Sequence, residues 1–181
     1  GAMGTALATV LAENKYKVMM WDIEREVTDG IARFHKNPRS LHDVALETAI
    51  KADHDIARAA ANRDVVVIAV ASGAVREVAS KIASVLSRNC VIACVSKGLE
   101  AESFKTMPEV LLEELGGAFR YHITLLSGPT FAREIVRKIP TAAVLASERS
   151  NEYSKRALEA FSNNWFKVSE TRDLSGVALA G

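Results

Sequence analysis

Val91-Ile92-Ala93-Cys94-Val95-Ser96-Lys97-Gly98-Leu99-Glu100 decides how the rest of the chain is read. The run Cys90 to Val95 is continuously apolar, with β-branched Val91, Ile92 and Val95, which suits a strand buried on both faces of a parallel sheet. It runs straight into a lysine, a glycine and then acidic, helix-ready residues, so Lys97 is expected at a strand tip. In such sheets ligands collect beyond the carboxyl ends of the strands. A lysine there offers three donors and a full positive charge to a substrate oxygen or phosphate. A lone lysine is more often a solvated loop residue, so its neighbours decide the matter.

On the amino side, Val65 to Val70 (VVVIAV) predicts another buried strand, ending at Ala71, Ser72 and Gly73. That small-residue tip lets a ribose or nicotinamide lie close to the backbone. Val75, Val78, Ala79, Ile82, Val85 and Leu86 share one face of a helix over 75–86. On the carboxyl side, Pro108 opens a helix through Leu115 that Gly116 and Gly117 close. His122 to Leu126 follows as a strand ending in Ser127, Gly128, Pro129 and Thr130, with Thr130 expected to cap a short helix, Phe131 to Arg137. Beyond it come a strand (Thr141 to Ala146), a helix (Glu152 to Phe161), a strand (Trp165 to Ser169) and a helix from Leu174 to Gly181.

The amino-terminal third continues the alternation. Leu7, Val10 and Leu11 give helical spacing over Thr5 to Asn14. Tyr16 to Trp21 is a strand ending at Asp22, 18 positions after Gly4. Gly1, Ala2, Met3 and Gly4 match the back half of a GxGxxG dinucleotide fingerprint, in which backbone approaches a pyrophosphate and an acid near twenty residues on holds a ribose. No strand precedes these glycines, so either the first strand is missing or Gly1 to Met3 is a cloning remnant. A missing first strand leaves edges that need a partner. Glu24 to Lys36 reads as a helix with Val27, Ile31 and Phe34 inward, stopped by Asn37 and Pro38. Arg39 to Thr48 is an irregular connection, Ile50 to Ala52 a short strand, and Asp53 or Asp55 caps a helix to about Asn62.

Strands alternating with helices of this length specify an α/β fold with a doubly wound, mostly parallel sheet, expected to lack its first strand. At 181 residues and 49% apolar content the chain fits one domain with a sizeable core. Its 23 basic and 22 acidic residues leave a formal charge of +1, so there is no basic field for nucleic acid and any anion site is local. Cys90 and Cys94 fit no metal or redox spacing and read as small core residues in a reducing compartment. His35, His42, His54 and His122 are scattered, which argues against zinc or a histidine base. Trp21 and Trp165 read as packing residues. No serine carries the glycines of a nucleophile elbow. With no apolar run of membrane-spanning length and no signal peptide at the amino end, the cytoplasm is the expected location.

Four polar or glycine-bearing tips are expected on one rim: Asp22, Ser72 with Gly73, Ser96 with Lys97 and Gly98, and Ser127 with Gly128 and Thr130. Gly1 to Leu7 (GAMGTAL), Val95 to Glu100 (VSKGLE), Leu126 to Glu134 (LSGPTFARE), Pro140 to Ala142 (PTA) and Gly176 to Gly181 (GVALAG) resemble, in order and spacing, NAD(P)-dependent glycerol-3-phosphate dehydrogenase. Asn37 to Arg39 and Val75 to Val78 (VREV) agree, and the resemblance covers nearly the whole chain. It implies a Rossmann-like cofactor-binding domain spanning 1–181, truncated at both ends, whose helical substrate domain would follow Gly181. It also implies hydride transfer between NAD(P)H and dihydroxyacetone phosphate, giving sn-glycerol 3-phosphate for glycerophospholipid supply, in an enzyme expected to be a homodimer.

The same resemblance puts Lys97 beside nicotinamide and substrate, as the catalytic residue present here. Gly128 and Thr130 fall on substrate-contacting positions and Ala132 on a cofactor-contacting one, while Gly1 to Gly4, Asp22 and Ser72 complete the cofactor set. The family's proton-transfer lysine falls beyond GVALAG, so the chain is expected to bind cofactor weakly and to turn nothing over. Ala71, Ala178 and Ala180 depart from the family's commoner residues. At the second strand Asp22 and Ile23 stand where many bacterial members have a small residue and a basic one, which favours NAD over NADP; Arg25 is close enough to blunt that preference. Two rivals share the crevice: a non-catalytic, redox-sensing dinucleotide-binding module, which has no need of a buried cation at position 97, and a different hydroxyacid or hydroxyacyl dehydrogenase.

Overall fold

The structure is a computed structural model, and it describes residues 1–180. Helices and strands alternate in the order α1 (Ala2–Glu13), β1 (Val18–Met20), α2 (Arg25–Phe34), β2 (Ile50–Ala52), α3 (Ile56–Ala60), β3 (Val65–Ile68), α4 (Val75–Ile82), β4 (Val91–Cys94), α5 (Met107–Leu115), β5 (Ile123–Ser127), α6 (Ala132–Val136), β6 (Thr141–Ser147), α7 (Glu152–Phe161), β7 (Phe166–Thr171) and α8 (Leu174–Ala180). The carboxyl end of the helix expected over 174–181 falls on Gly181, outside the described residues. The ends have legible causes. Asp55 caps α3 by accepting from the amides of Ala57 and Arg58, and Thr106 with Glu109 forms a capping box at α5. Asn151 does the same for α7.

The strands form two sheets, β1-β2 and β3-β4-β5-β6-β7, with no strand pairing between β1 and β3 among the described residues. Four of the five pairings are parallel; β5 and β6 are antiparallel. The reversal follows from the length of α6. A five-residue helix advances about 7.5 Å, too little to carry the chain back along a strand of about 16 Å, so β6 starts at the rim where β5 ends. The larger sheet ends at β3, and β1-β2 stands as a separate ribbon. This separation also changes burial: β4 and β5 are wholly buried, whereas β1 and most of β3 are only half-buried. VVVIAV, read as a buried strand, is thus a partly open edge.

Alternate residues of β4 feed opposite cores. Ile92 and Cys94 pack with Val78, Ile82, Val110 and Leu111 beneath α4 and α5, while Val91 and Ala93 pack with Leu7, Val10, Phe161 and Phe166 beneath α1 and α7. A third cluster joins Ala8 and Ala12 of α1 to Val27, Ile31 and Ile50. Helix α1 therefore has one face on the larger sheet and another on α2 and β2, and it holds the two sheets in one body. Two side chains depart from expectation. Phe34, read as inward, is 71% exposed, because α2 ends there and His35 turns the chain away with φ of 49°. Thr130 caps nothing: α6 begins after Phe131, and the Thr130 amide donates to the Gly128 carbonyl instead.

Candidate active-site rim

Three parallel strands deliver their tips to one edge. Beyond β3 the chain enters a short 3-10 turn at Ser72–Ala74. Beyond β4 the Ser96 hydroxyl donates to the Val70 carbonyl at 2.6 Å, which ties this tip to its neighbour. A Cβ added to Gly98 would lie 3.8 Å from the Ser72 Oγ, so the Ser72 and Lys97 turns are adjacent. Beyond β5, Lys97 Nζ donates to the Gly128 carbonyl at 3.3 Å. Ser96, Lys97, Gly98, Leu125 and Ser127 line one crevice with Met107 and Pro108 of α5 and with Val177 and Ala178 of α8. Lys97 itself is exposed, contrary to the buried cation expected. The tip lifts its side chain clear of the sheet, so burial of this residue does not separate an enzyme from a sensor.

The opening glycines lie on the same rim. Gly1 is the cap residue of α1, and Ala2, Met3 and Gly4 form its first turn rather than a loop ahead of the helix. No side chain caps this end, so the first-turn amides are free to face an anion. A Cβ built on Gly4 would stand 3.3 Å from the Ala69 Cβ just past β3, which shows how closely the helix start approaches the sheet. At the tip of β1, Asp22 accepts from the Glu24 amide at 3.1 Å and from the Gly1 amino group at 2.8 Å. The Asp22 side chain is only 17% exposed. Arg25 is exposed nearby, and Arg39 pairs with Glu24. Ala132 and Met3 pack against the same core cluster, so the start of α6 flanks the start of α1.

The structure thus brings together Gly1 to Gly4 with Asp22, and Ser72 with Lys97 and Gly128, with Ala132 beside α1. Thr130 follows Gly128 in a tight turn and is half-buried. Gly128 is required where it stands: its φ is +149°, and a Cβ would lie 3.1 Å from both the Ala142 carbonyl oxygen and the Ala143 Cα. The arrangement can seat an anion at a helix start, bind hydroxyls with the carboxylate of Asp22 beside it, and place a cation against a developing negative charge.

One feature of the site escaped the sequence reading. Arg76 on α4 donates to both oxygens of Glu100 at 2.8 Å, to Glu114 at 2.5 Å and to Glu113 at 2.9 Å. These bonds draw the Glu100 carboxyl down to about 2 and hold the Arg76 guanidinium far above its ordinary value. Arg76 falls next to an apolar position of an amphipathic helix, so in the sequence it looks like a solvated flank. In the sequence, the adjacent acids Glu113 and Glu114 are the signal that could have pointed to its partner. Burial, by contrast, raises the thiols of Cys90 and Cys94 to about 11, as expected of core residues. No group of histidine, cysteine and acidic residues that could hold a metal occurs among the described residues. None of the described helices is long and apolar enough to cross a membrane.

Fold and rim together define the class: a Rossmann-type α/β domain. Residues 1–153 match the family described as NAD-dependent glycerol-3-phosphate dehydrogenase N-terminus, and the chain belongs to that family. Over all 181 residues it is 38% identical to glycerol-3-phosphate dehydrogenase [NAD(P)+] of Staphylococcus haemolyticus, and it covers 54% of that protein. The chain spans about half the length of the curated relatives it matches. Among solved structures, glycerol-3-phosphate dehydrogenase from Coxiella burnetii superposes with a TM-score of 0.91 at 32% identity, covering 100% of this chain and 54% of that one. The Saccharomyces cerevisiae enzyme shares the fold, with a TM-score of 0.86 at 24% identity over 100% of this chain and 57% of that one.

Proposed function

We propose that this chain is the cofactor-binding part of an NAD(P)-dependent glycerol-3-phosphate dehydrogenase. The reaction is reversible hydride transfer from NAD(P)H, with a proton, to dihydroxyacetone phosphate, giving sn-glycerol 3-phosphate for glycerophospholipid synthesis in the cytoplasm. The observation that carries the reading is the approach of Lys97 Nζ to within 3.3 Å of the Gly128 carbonyl, on the rim that also holds the start of α1. The uncapped first turn of α1 and the close approach at Gly4 fit a pyrophosphate, which needs free amides and no side chain in the way. When bound, the nicotinamide supplies or takes up the hydride.

The chain's own residues have the following roles in this proposal. Gly1 to Gly4 cradle the pyrophosphate, Asp22 binds the adenosine ribose, and Ser72 and Ala132 contact the cofactor. Lys97 meets cofactor and substrate, and its ammonium offsets the negative charge that grows on the carbonyl oxygen as it is reduced. Gly128 and Thr130 meet the substrate. The second half of the relatives' length would bring the proton-transfer lysine, further cations for the substrate phosphate and a homodimer contact.

Asp22 favours NAD, because a carboxylate facing a 2′-phosphate is a like-charge juxtaposition of on the order of several kcal/mol. Titration of the 181-residue chain with NADH and NADPH, followed by nucleotide fluorescence, tests the reading. Weak NADH binding that Lys97→Met weakens further is expected, with NADPH weaker still. No hydride transfer to dihydroxyacetone phosphate is expected from this chain alone. A firm NADPH preference would remove Asp22 from the argument, and substantial turnover would contradict the assignment of proton transfer to the relatives' second half.

A further inference from the structure

The turn that carries Lys97 is fastened from outside. Three residues on, Glu100 closes a small hairpin: its amide donates to the Lys105 carbonyl at 2.9 Å, its carbonyl accepts from Phe104 at 2.8 Å, and Leu99 bridges Thr106. The Ser103 hydroxyl donates to Glu100 Oε2 at 2.5 Å. Arg76 reaches this hairpin from α4 with Nε on one oxygen of Glu100 and an amino nitrogen on the other, and is itself held by Glu113 and Glu114 of α5. Lys105 also pairs with Glu113.

A two-pronged guanidinium–carboxylate contact fixes both the distance and the plane of its partner. With Arg76 37% and Glu100 15% exposed, the pair adds a modest increment to overall stability, and its distinctive effect is on geometry. We infer that Arg76 is a positioning residue: through Glu100 it holds the 97–106 loop so that the Lys97 ammonium stays over Gly128. This rests on the proposed role of Lys97 and extends it to a residue that touches neither nucleotide nor substrate.

Two measurements on the 181-residue chain test it. The first uses no ligand. Backbone 15N relaxation should show Lys97 and Gly98 becoming mobile on the picosecond-to-nanosecond scale in Arg76→Gln, with Arg76→Lys intermediate and α4 and α5 unchanged. Unchanged relaxation at Lys97 and Gly98 overturns the inference. The second is a double-mutant cycle on NADH binding. Arg76→Gln should weaken binding about tenfold when Lys97 is present and less than about twofold in a Lys97→Met background, because residues acting through one another are not additive.

Equal losses in both backgrounds overturn the inference and assign Arg76 a purely structural role. If Lys97→Met alone leaves NADH binding unchanged, the functional reading of Lys97 fails, and the ligand-free relaxation result still decides whether Arg76 positions the loop. Should Arg76→Gln lose its native near-UV circular dichroism, Glu100→Gln opens the same contact from the loop side and is read by the same two measurements.

Discussion

Gly128 shows what a single position can demand. Its backbone has φ of +149°, and a Cβ there would stand only 3.1 Å from the backbone of Ala142 and Ala143, which would have to give way. Gly128→Ala should therefore destabilise the chain by about 1–3 kcal/mol, read as a lowered urea midpoint, and should pull the Gly128 carbonyl away from Lys97. Stability left within experimental error of the parent would show that the turn relaxes freely. Such residues were partly legible beforehand. A glycine at a strand tip followed by proline announces a turn, and Asp22 follows Gly4 at the spacing a ribose-binding acid needs. Thr130 misled, because threonine ahead of an apolar run is the signature of a helix cap, and here α6 starts one residue later, after Phe131. Arg76 stood in the sequence only as part of the family-like VREV, and its pairing was not legible, since its partners lie 24 and 37 or more positions away.

Among elements, the ionic cluster joining α4, α5 and the Lys97 loop makes a prediction about acid. The hydrogen bonds from Arg76, and then the one from the Ser103 hydroxyl, hold the Glu100 carboxyl at about 2 against an ordinary 4.5. A carboxyl depressed in the folded state contributes stability that is fully present above its unfolded value and is lost as pH falls through the folded one. The stability difference between the parent and Glu100→Gln should thus be constant above about pH 5 and shrink between 4.5 and 2, measured as urea midpoints at stepped pH. A difference that stays level across that window would mean the pair is not formed in solution. The elements themselves were mostly readable: β2 and α7 fall on the residues expected for them. The direction of β6 was not, because strand patterning carries no sign and only the shortness of α6 fixes it.

At the scale of the whole molecule the break between β1 and β3 dominates. Alternation of helix and strand revealed a doubly wound, mostly parallel sheet, but not its division into two sheets. How the two pieces are joined lay in contacts between residues far apart in the chain. Amides of β1 and β3 that face the break should exchange with solvent at least about tenfold faster than those of β4 and β5, as expected of edges with few buried contacts. Hydrogen exchange followed by mass spectrometry or NMR reads this, and uniform protection across all four strands would mean that the break is closed in solution.

Helix α1 has a double duty. Its first turn is the proposed anion seat, and its flank carries Ala6, Leu7 and Val10 toward one sheet and Ala8 and Ala12 toward the other. Ligation and assembly therefore draw on one rod, so any tilt that loosens the smaller sheet also swings the seat out of line. A bulky replacement at Ala12, far from every contact proposed for the nucleotide, would be felt at Gly4 as a misaligned cradle.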